Sequence, residues 1–378
     1  MQVALVHDYL NQMGGAERVV LALHEIFPDA PLYTSIYDPK RVDTAFQKID
    51  VRTTFMQKLP LVKKHHQPFL PLYPFAMERL DLRGYDLVLS SSSAFGKGVI
   101  TRPETMHICY CHTPMRWCWN YDEYVERERL GRISRSVLPF LMTGLRVWDQ
   151  MSATRVDYFI ANSPVVADRI QKYYRREAVV IPPPVEASRF TFDPTIVPDE
   201  YFLIVSRFMP YKRIDLAIEA CNHLQLPLLI IGSGRDENRL KSIAGPTIRF
   251  TGRLSDEEVL YYYAHCRAFI LPGEEDFGIT PLEAQASGRP VIAYGAGGAL
   301  ASVVEGVTGT FFQTQTPESL IAALASFNER IYDPQTIHNH ALEFDKPRFH
   351  RRILQFIEAK MSEGKTRDLS TPPSELIR

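Results

Sequence analysis

Short apolar runs alternate with amphipathic segments along most of the chain. The apolar run at 3–6 is followed by the pair Gly14-Gly15 and by a segment, 16–27, in which apolar residues recur every three to four positions. A short apolar run bounded by turn residues predicts a buried strand, and the three-to-four periodicity predicts a helix that faces a core. The first half therefore begins as strand, glycine loop and helix, and further strands are predicted at 86–89, 107–111, 157–161 and 179–181.

The second half alternates more regularly. Strands are predicted at 201–206, 226–232, 247–252, 267–272, 290–294 and 309–312. Helical patterns follow these strands at 214–224, 237–243, 256–266, 281–287, 299–304 and 317–326. Strands that alternate with helices predict an α/β domain with a parallel, doubly wound sheet.

The segment 182–200 predicts a boundary between domains. It opens with three prolines, and a proline run cannot continue a helix or a central strand. We therefore expect one domain at 1–190, a second at 195–343, a last helix within 344–362 and a polar tail at 363–378. Two Rossmann-like, doubly wound domains in tandem would face a central cleft, with ligands bound outside the carboxyl ends of the strands.

Composition and charge narrow the functional classes. The chain has 378 residues, of which 45% are hydrophobic and 23% charged, as expected for a globular protein of two or three domains. Lysine and arginine total 43 and aspartate and glutamate total 44, and this balance argues against a dedicated nucleic-acid binder.

The cysteines indicate neither disulfides nor a metal. There are 5 of them, and an odd number at low density does not predict a disulfide framework. Zinc at Cys109, Cys111, His112 and Cys118 is disfavoured, because two cysteines separated by two residues are missing from this stretch. With no transmembrane run and no signal peptide in the sequence, we expect a cytoplasmic protein.

An acidic loop carries the first candidate chemistry. Glu275 follows the strand predicted at 267–272, and Glu283 lies eight residues further on. Thr280 and Pro281 predict the N-cap and first position of a helix, which places Glu283 in its first turn. Carboxylates accept hydrogen bonds from hydroxyls, and a helix N-terminus favours anions, so this loop could hold sugar hydroxyls and a diphosphate. The alternative is that these acids only cap a helix and face water.

A basic segment and a glycine pair carry further candidates. Arg207 and Lys212 follow the strand predicted at 201–206 and could neutralise a diphosphate without a metal, although a surface basic cluster is the commoner explanation. Gly14 and Gly15 would let backbone approach a ligand closely, or would only make a tight turn. His112 lies just past a predicted strand, where active-site residues of α/β domains gather.

Taken together, these motifs resemble the retaining glycosyltransferases of family 4, which have the GT-B fold. The most specific mark is a pair of glutamates separated by seven residues, Glu275 and Glu283, within Glu-Asp-Phe-Gly-Ile-Thr-Pro-Leu-Glu. Weaker marks in family order are Ser206-Arg207 with Lys212, Gly232-Ser233-Gly234, Gly252-Arg253-Leu254 and Gly297-Gly298. The N-terminal His-Asp-Tyr-Leu at 7–10 with Gly-Gly-Ala-Glu-Arg at 14–18, and the segment 110–116, resemble a bacterial mannosyltransferase-like subgroup that builds polysaccharides and lipid-linked oligosaccharides.

The resemblance implies a role for each matching position. Arg207 and Lys212 would hold the donor diphosphate, Glu283 the ribose hydroxyls and Glu275 the transferred sugar. The remaining implied donor-site residues are the amides of Phe277, Gly278 and Ile279 beside that sugar, Thr280 by the diphosphate, Arg253 and Leu254 flanking the base, Gly14 and Gly15 on the phosphate and acceptor side, His112 at the transferred sugar, and Gly232. The family pattern also implies that the last helix, 344–362, crosses back to the first domain.

The reaction implied by the resemblance is sugar transfer with retention, without a metal or other cofactor. The leaving phosphate would take the acceptor proton on the same face of the sugar, so neither glutamate need be a nucleophile. The implied donor is GDP-mannose, with UDP-sugars open, and the acceptor is a glycan or lipid-linked oligosaccharide. A non-catalytic nucleotide-sugar-binding subunit remains an alternative, and a two-carboxylate hydrolase is disfavoured because it would leave the basic pair without a role.

The segment 56–79 mixes basic with apolar and aromatic residues. Lys58, Lys63, Lys64 and Arg79 stand among leucines, phenylalanines and a tyrosine. This mixture fits a surface that touches anionic lipid or a lipid-linked acceptor at the inner face of the cytoplasmic membrane. A proline-rich loop packed on its own domain is an equal alternative.

Overall fold

The first domain is built on a parallel sheet. The structure, a computed structural model, describes residues 1–119 and 132–367. Seven strands, in the spatial order β3-β2-β1-β4-β5-β6-β7, form this sheet. Leu5 of the first strand lies opposite Leu32 and Leu89 of its two neighbours. The strands are β1 (Val3–His7), β2 (Leu32–Thr34), β3 (Val51–Thr53), β4 (Leu87–Ser92), β5 (Met106–Cys111), β6 (Tyr158–Ala161) and β7 (Ala178–Val180).

Helices cover both faces of this sheet. All five residues of β1 are buried, as expected for a central strand of a parallel sheet. One side of the first helix, with Val19, Val20 and Leu23, packs into the same core. The helices described in this part of the chain are α1 (Gly15–Ile26), α2 (Tyr73–Glu78), α3 (Arg116–Trp119), α4 (Arg132–Ala153) and α5 (Pro164–Tyr174).

The second domain repeats the architecture with a six-stranded parallel sheet in the order β10-β9-β8-β11-β12-β13. Its strands are β8 (Phe202–Val205), β9 (Leu228–Ile231), β10 (Ile248–Gly252), β11 (Ala268–Leu271), β12 (Val291–Tyr294) and β13 (Gly309–Phe312). Its helices are α6 (Ile214–Leu224), α7 (Glu237–Ile243), α8 (Asp256–His265), α9 (Ile279–Ala286), α10 (Ala299–Ser302), α11 (Pro317–Ser326) and α12 (Pro334–Leu342).

The chain crosses between the domains twice, and the two crossings lie side by side. The Val185 amide donates to the Phe344 carbonyl at 2.9 Å, and the Lys346 amide donates to the Val185 carbonyl at 3.2 Å. After the second crossing, α13 (Lys346–Arg367) returns to the first domain. There Phe349 and Ile353 join the core that contains β1 and α1.

The predicted doubly wound α/β architecture with two Rossmann-like sheets is confirmed. The sequence patterns missed the short strands β2 and β3 and the helices α2, α3, α4, α5 and α12. The last helix runs to Arg367, so the first residues of the predicted tail 363–378 are helical, and 368–378 lie outside the described residues.

Candidate active site

A cavity of about 1020 Å³ opens between the two domains. It lies at the carboxyl ends of the strands, where β1, β5, β8 and β11 each lead into a loop that lines it. Every residue predicted for the site lines this one cavity: Gly14, Gly15, His112, Arg207, Lys212, Gly232, Arg253, Leu254, Glu275, Phe277, Gly278, Ile279, Thr280 and Glu283. The structure therefore brings together residues that lie up to 269 positions apart in the numbering of the chain.

The acidic loop enters α9 earlier than the sequence predicts. Gly278, at φ +87°, is the N-cap residue, and no side chain caps the helix. The prediction that Thr280 is the N-cap, with Glu283 in the first turn, is therefore wrong. Glycine adopts this left-handed conformation without the steric cost that other residues incur, so the helix begins at Ile279. Thr280 is the second residue of this helix and Glu283 is the fifth, so Glu283 lies beyond the first turn.

Glu275 and Lys212 form an ion pair inside the cavity. The Lys212 ammonium donates to Glu275 Oε1, and both side chains are largely buried. Burial is the largest single effect and lowers the pKa of Lys212, but the charge of Glu275, the hydrogen bond to it and the nearby Tyr211 together outweigh burial, and the net pKa is raised. The lysine therefore stays cationic, and the pair presents one charge of each sign to a ligand.

Glu283 is held by two donors, one from each domain. Tyr263, from α8, donates its hydroxyl to Oε2 at 2.8 Å. Arg18, from α1 of the first domain, donates to Oε1 at 2.5 Å. Neither donor is predicted by the sequence motifs, although Arg18 lies only three residues after the Gly14-Gly15 pair.

Two further arginines of the cavity have neutral partners. Arg207 donates to the Gln12 side-chain carbonyl across the cleft at 3.1 Å, and Arg253 donates to the Ser233 hydroxyl at 3.0 Å. A guanidinium bound to a neutral amide or hydroxyl keeps its full charge toward a ligand. These two side chains can therefore meet an anion without first breaking an ion pair.

His112 is buried at the end of β5 and is neutral at physiological pH. Its Nε2 shares a hydrogen bond with the Ser91 hydroxyl at 2.7 Å. Burial, together with the charge of nearby His7, lowers the pKa of His112 to about 3. A neutral imidazole can donate or accept a hydrogen bond at a sugar but has no acidic proton to give at pH 7.

The loop between Glu275 and α9 is also tied to the first domain. Arg169 of α5 pairs with Asp276, and also with Glu274 at 3.3 Å, while the Ser163 hydroxyl donates to the Asp276 carbonyl at 2.5 Å. Arg116 stands 3.7 Å from the same aspartate. Sequence reasoning missed these contacts, because Arg169 lies outside every motif and pairs with a residue 107 positions away.

Glycines bring backbone segments together at the site. A Cβ on Gly298 would lie 2.1 Å from the Phe277 Cα, so only glycine permits the turn at 297–298 to pack on the acidic loop. A Cβ on Gly15 would lie 2.9 Å from the Ile279 side chain, across the cleft. The glycine pairs at both places thus set how closely the loops that line the cavity approach.

The described residues contain neither a candidate metal-binding cluster nor a helix that could cross a membrane. Within 1–119 and 132–367, no group of three or more histidine, cysteine or acidic side chains could hold a metal ion. In the same two ranges, no helix combines the length and the apolar character needed to cross a bilayer.

Comparisons with known proteins match each half of the chain to a glycosyltransferase family model. The family described as Glycosyltransferase Family 4 matches residues 13–189, and the family described as Glycosyl transferases group 1 matches residues 190–337. The two matches are consecutive and meet at the predicted domain boundary.

The curated relatives include several mannosyltransferases. O-antigen chain mannosyltransferase C of Escherichia coli is 32% identical over 154 residues, which are 36% of this chain and only 42% of that protein. The GDP-mannose-dependent alpha-mannosyltransferase of Mycolicibacterium smegmatis is 43% identical over 96 residues, 25% of each chain. Alpha-1,3/1,6-mannosyltransferase ALG2 of Homo sapiens is 25% identical over 360 residues, which cover 81% of this chain and 82% of that protein.

Solved structures share the fold across both domains. Anabaena HepE, in complex with UDP, superposes with a TM-score of 0.70 at 16% identity, over 95% of this chain and 100% of that chain. The two family matches together span residues 13–337, and the chain belongs to glycosyltransferase family 4 and has the GT-B fold.

Proposed function

We propose that this protein transfers mannose from GDP-mannose to a glycan or lipid-linked acceptor, with retention of configuration and without a metal. The observation that carries the proposal is the charge pattern of the interdomain cavity. Cationic side chains outnumber carboxylates among its lining residues: Arg18, Arg116, Arg207, Lys212, Arg235 and Arg253 against Glu275, Asp276 and Glu283. Such a surplus suits a nucleoside diphosphate, whose two phosphates need cations and whose sugars need hydroxyl acceptors.

The donor binds across the second domain in this proposal. Arg207 and Lys212 hold the diphosphate, and the amides at the start of α9 add N–H donors, as helix N-termini do for phosphates. Glu283 accepts from the ribose hydroxyls and Glu275 from the hydroxyls of the transferred sugar. The base lies between Arg253 and Leu254, and His112 and the Gly14-Gly15 loop meet the sugar from the first domain.

The transfer step breaks the bond between the anomeric carbon and the diphosphate oxygen. On the same face, the acceptor oxygen forms its bond to that carbon, and the acceptor proton passes to the leaving phosphate. Arg207 and Lys212 stabilise the charge that develops on this phosphate. Both glutamates already hold cationic partners, Lys212 and Arg18, which supports a path without a glutamate nucleophile.

Mannose and guanine are supported by three relatives, all of which are mannosyltransferases by name and one of which is GDP-mannose-dependent by name. A UDP-sugar is the second candidate, because HepE shares the fold and was solved with UDP. The cavity residues around the base site, Arg253 and Leu254, favour neither base.

A thermal-shift panel with GDP, UDP, ADP and dTDP tests the donor site. A ligand at 100 times its dissociation constant stabilises a protein by about 2.7 kcal/mol. We expect GDP to raise the midpoint most and Glu283→Ala to abolish that rise. A larger rise in the midpoint with UDP would identify a UDP-sugar as the donor instead. No rise with any nucleotide would contradict the donor site.

Product analysis then tests the chemistry. With GDP-mannose and an acceptor glycan, we expect an α-linked product by NMR and full activity in EDTA. A β-linked product contradicts retention, and a loss in EDTA that Mn²⁺ or Mg²⁺ restores contradicts metal independence. Nucleotide binding without transfer to any acceptor would favour the non-catalytic alternative.

We also propose that the surface of residues 56–79 contacts anionic lipid at the inner face of the cytoplasmic membrane. Part of the segment is packed on its own domain, since Met56, Val62 and Tyr73 are buried. The other part is exposed and combines apolar with cationic side chains: Phe55 beside it, Leu61, Leu72 and Phe75 with Lys58, Lys64 and Arg79. Sedimentation with anionic but not zwitterionic vesicles, lost in Phe75→Ser and kept in the distant control Val197→Ser, tests this surface.

A further inference from the structure

Arg18 is a first-domain side chain that reaches into the second domain's half of the cavity. It is the fourth residue of α1, directly after the Gly14-Gly15 loop. Its side chain is 50% exposed, whereas the Glu283 side chain that it contacts is 8% exposed. The exposed end of this contact thus comes from one domain and the buried end from the other.

The Glu283 carboxylate keeps unused acceptor capacity. Each of its oxygens accepts one described bond, Oε1 from Arg18 and Oε2 from Tyr263. An ionised carboxylate offers about four lone-pair positions, so about two remain for further donors. Two neighbouring hydroxyls on one ring supply that number of donors.

The two partners of Glu283 differ in mobility. Tyr263 is wholly buried, and its ring packs edge-on against Phe190 at 5.7 Å, so it fixes one oxygen rigidly from within the second domain. Arg18 fixes the other oxygen only while the domains stand at this separation. The orientation of the carboxylate therefore depends on how the cleft is closed.

We infer that Arg18 is a positioning residue of the nucleoside subsite, supplied by the opposite domain. It holds the Glu283 carboxylate so that its free lone pairs accept from the 2′ and 3′ hydroxyls of a ribonucleoside diphosphate. This inference rests on the proposed role of Glu283 as the ribose acceptor. It adds that recognition of the ribose requires both domains, so that ribose binding and closure of the cleft favour each other.

Electrostatics supports a persistent contact. The charge of Glu283 raises the pKa of Arg18, against the opposing effect of partial burial. The Arg18 guanidinium therefore stays cationic in this contact.

Calorimetry with GDP and with 2′,3′-dideoxy-GDP tests the inference. We expect the wild type to prefer GDP by at least about tenfold, because the hydroxyls that dideoxy-GDP lacks would donate to a charged group. Arg18→Met, which keeps the apolar stem, should lose most of that preference by weakening GDP alone. Arg18→Lys should recover part of it, and the matched control Arg83→Met, at an exposed arginine paired with Asp81, should change nothing.

Kinetics gives a second readout. In Arg18→Met, we expect the donor KM to rise about tenfold with kcat within about threefold, since the residue acts on binding rather than on the reacting atoms. Equal weakening of both nucleotides would overturn the inference, because it indicates direct contact with the phosphates or a general structural role. An unchanged preference would overturn it as well.

The test separates this inference from the proposed function. If Glu283→Ala removes the preference for GDP but Arg18→Met does not, only the inference about Arg18 fails. If the wild type binds neither nucleotide, or Glu283→Ala leaves the preference intact, the ribose-acceptor role of Glu283 fails and the inference with it. Should the panel identify UDP, the same pair of measurements uses UDP and 2′,3′-dideoxy-UDP.

Discussion

At the scale of single residues, the cavity is a set of charges held in place by opposite charges. Glu275 holds Lys212, Arg18 holds Glu283, and Arg207 alone among these cations has a described amide partner instead. Buried ion pairs of this kind contribute little net stability, but losing one partner leaves an uncompensated charge. A substitution at one of these charged residues should therefore lower activity without unfolding the protein only when it conserves the shape of the side chain.

Glu275→Gln is such a substitution. It removes the charge but keeps the side-chain volume, and we expect transfer to fall at least ~100-fold, comparable to the loss of one transition-state hydrogen-bonding group. Initial rates, with circular dichroism as the check on folding, measure this. The control Glu274→Gln changes a neighbouring carboxylate whose described partner is Arg169 outside the cavity, and should retain most activity. Wild-type turnover by Glu275→Gln would contradict the sugar site.

The buried histidines make stability depend on pH. Burial lowers the pKa of His107 to about 4, below its ordinary value of 6.5. Between these values the unfolded chain binds a proton that the folded chain refuses, so stability is full above pH 6.5 and falls as the pH drops toward 4. The slope is up to about 1.4 kcal/mol per pH unit for this residue.

Urea midpoints at pH 7.5 and pH 5.0 measure that slope. His107→Gln has no such proton to bind in the unfolded state, so we expect its free energy of unfolding to fall less between the two pH values. Identical slopes in the wild type and His107→Gln would contradict the lowered pKa of His107 as the source of this pH dependence.

At the scale of elements, the sequence predicted the second domain better than the first. Strands β8 to β13 are buried apolar runs between regular helices, and all six were predicted to within two residues at each end. In the first domain β2 and β3 have three residues each, too few to show a period. Residue patterns report local burial, and such short strands depend on pairing with strands elsewhere in the chain.

The same limit applies to the site. The motif residues were predictable because they sit in loops directly after strands, where the fold gathers ligand groups. The sequence could not predict the contacts of Arg18, Tyr263 and Arg169, because each contacts a partner more than 15 positions away in the chain. The start of α9 was misplaced because a glycine in the left-handed conformation replaced the expected threonine cap.

The packing of the 297–298 turn on the acidic loop gives a prediction at this scale. Gly298→Ala places a Cβ against the Phe277 backbone, so the loop that carries Glu275 must shift. We expect at least a tenfold rise in donor KM and a lower thermal midpoint. The control is Gly144→Ala, where a Cβ would meet nothing within 4 Å. Within helix α4 that change should stabilise by about 0.5–1 kcal/mol. Unchanged KM in Gly298→Ala would contradict the packing argument.

At the scale of the whole molecule, three arginines form ion pairs across the cleft, and each joins a cation of the first domain to a carboxylate of the second. Arg18, Arg116 and Arg169 belong to the first domain, and their carboxylate partners belong to the second. The domains therefore attract each other at the mouth of the cavity, in addition to the covalent connection at the two adjacent crossings. Closure should weaken when these pairs are removed or screened.

Arg169→Ala tests closure directly. Small-angle scattering should show a larger radius of gyration for the ligand-free variant than for the wild type, and donor KM should rise several-fold. The control Arg83→Ala removes an arginine whose partner lies in its own domain. Equal radii for the variant and the wild type would mean that the crossings alone set the separation of the domains.

The returning helix α13 has a consequence for how the protein is made. Phe349, Ile353 and Ile357 complete a core whose other members lie between Val3 and Ile181. A ribosome therefore delivers every strand of the second domain before it delivers the helix that finishes the first. Until that helix is synthesised, the first domain exposes an apolar face to solvent. Such exposed apolar surface makes a nascent chain prone to aggregation. Chains stalled or cut between the second crossing and Phe349 should be the species that chaperones retain.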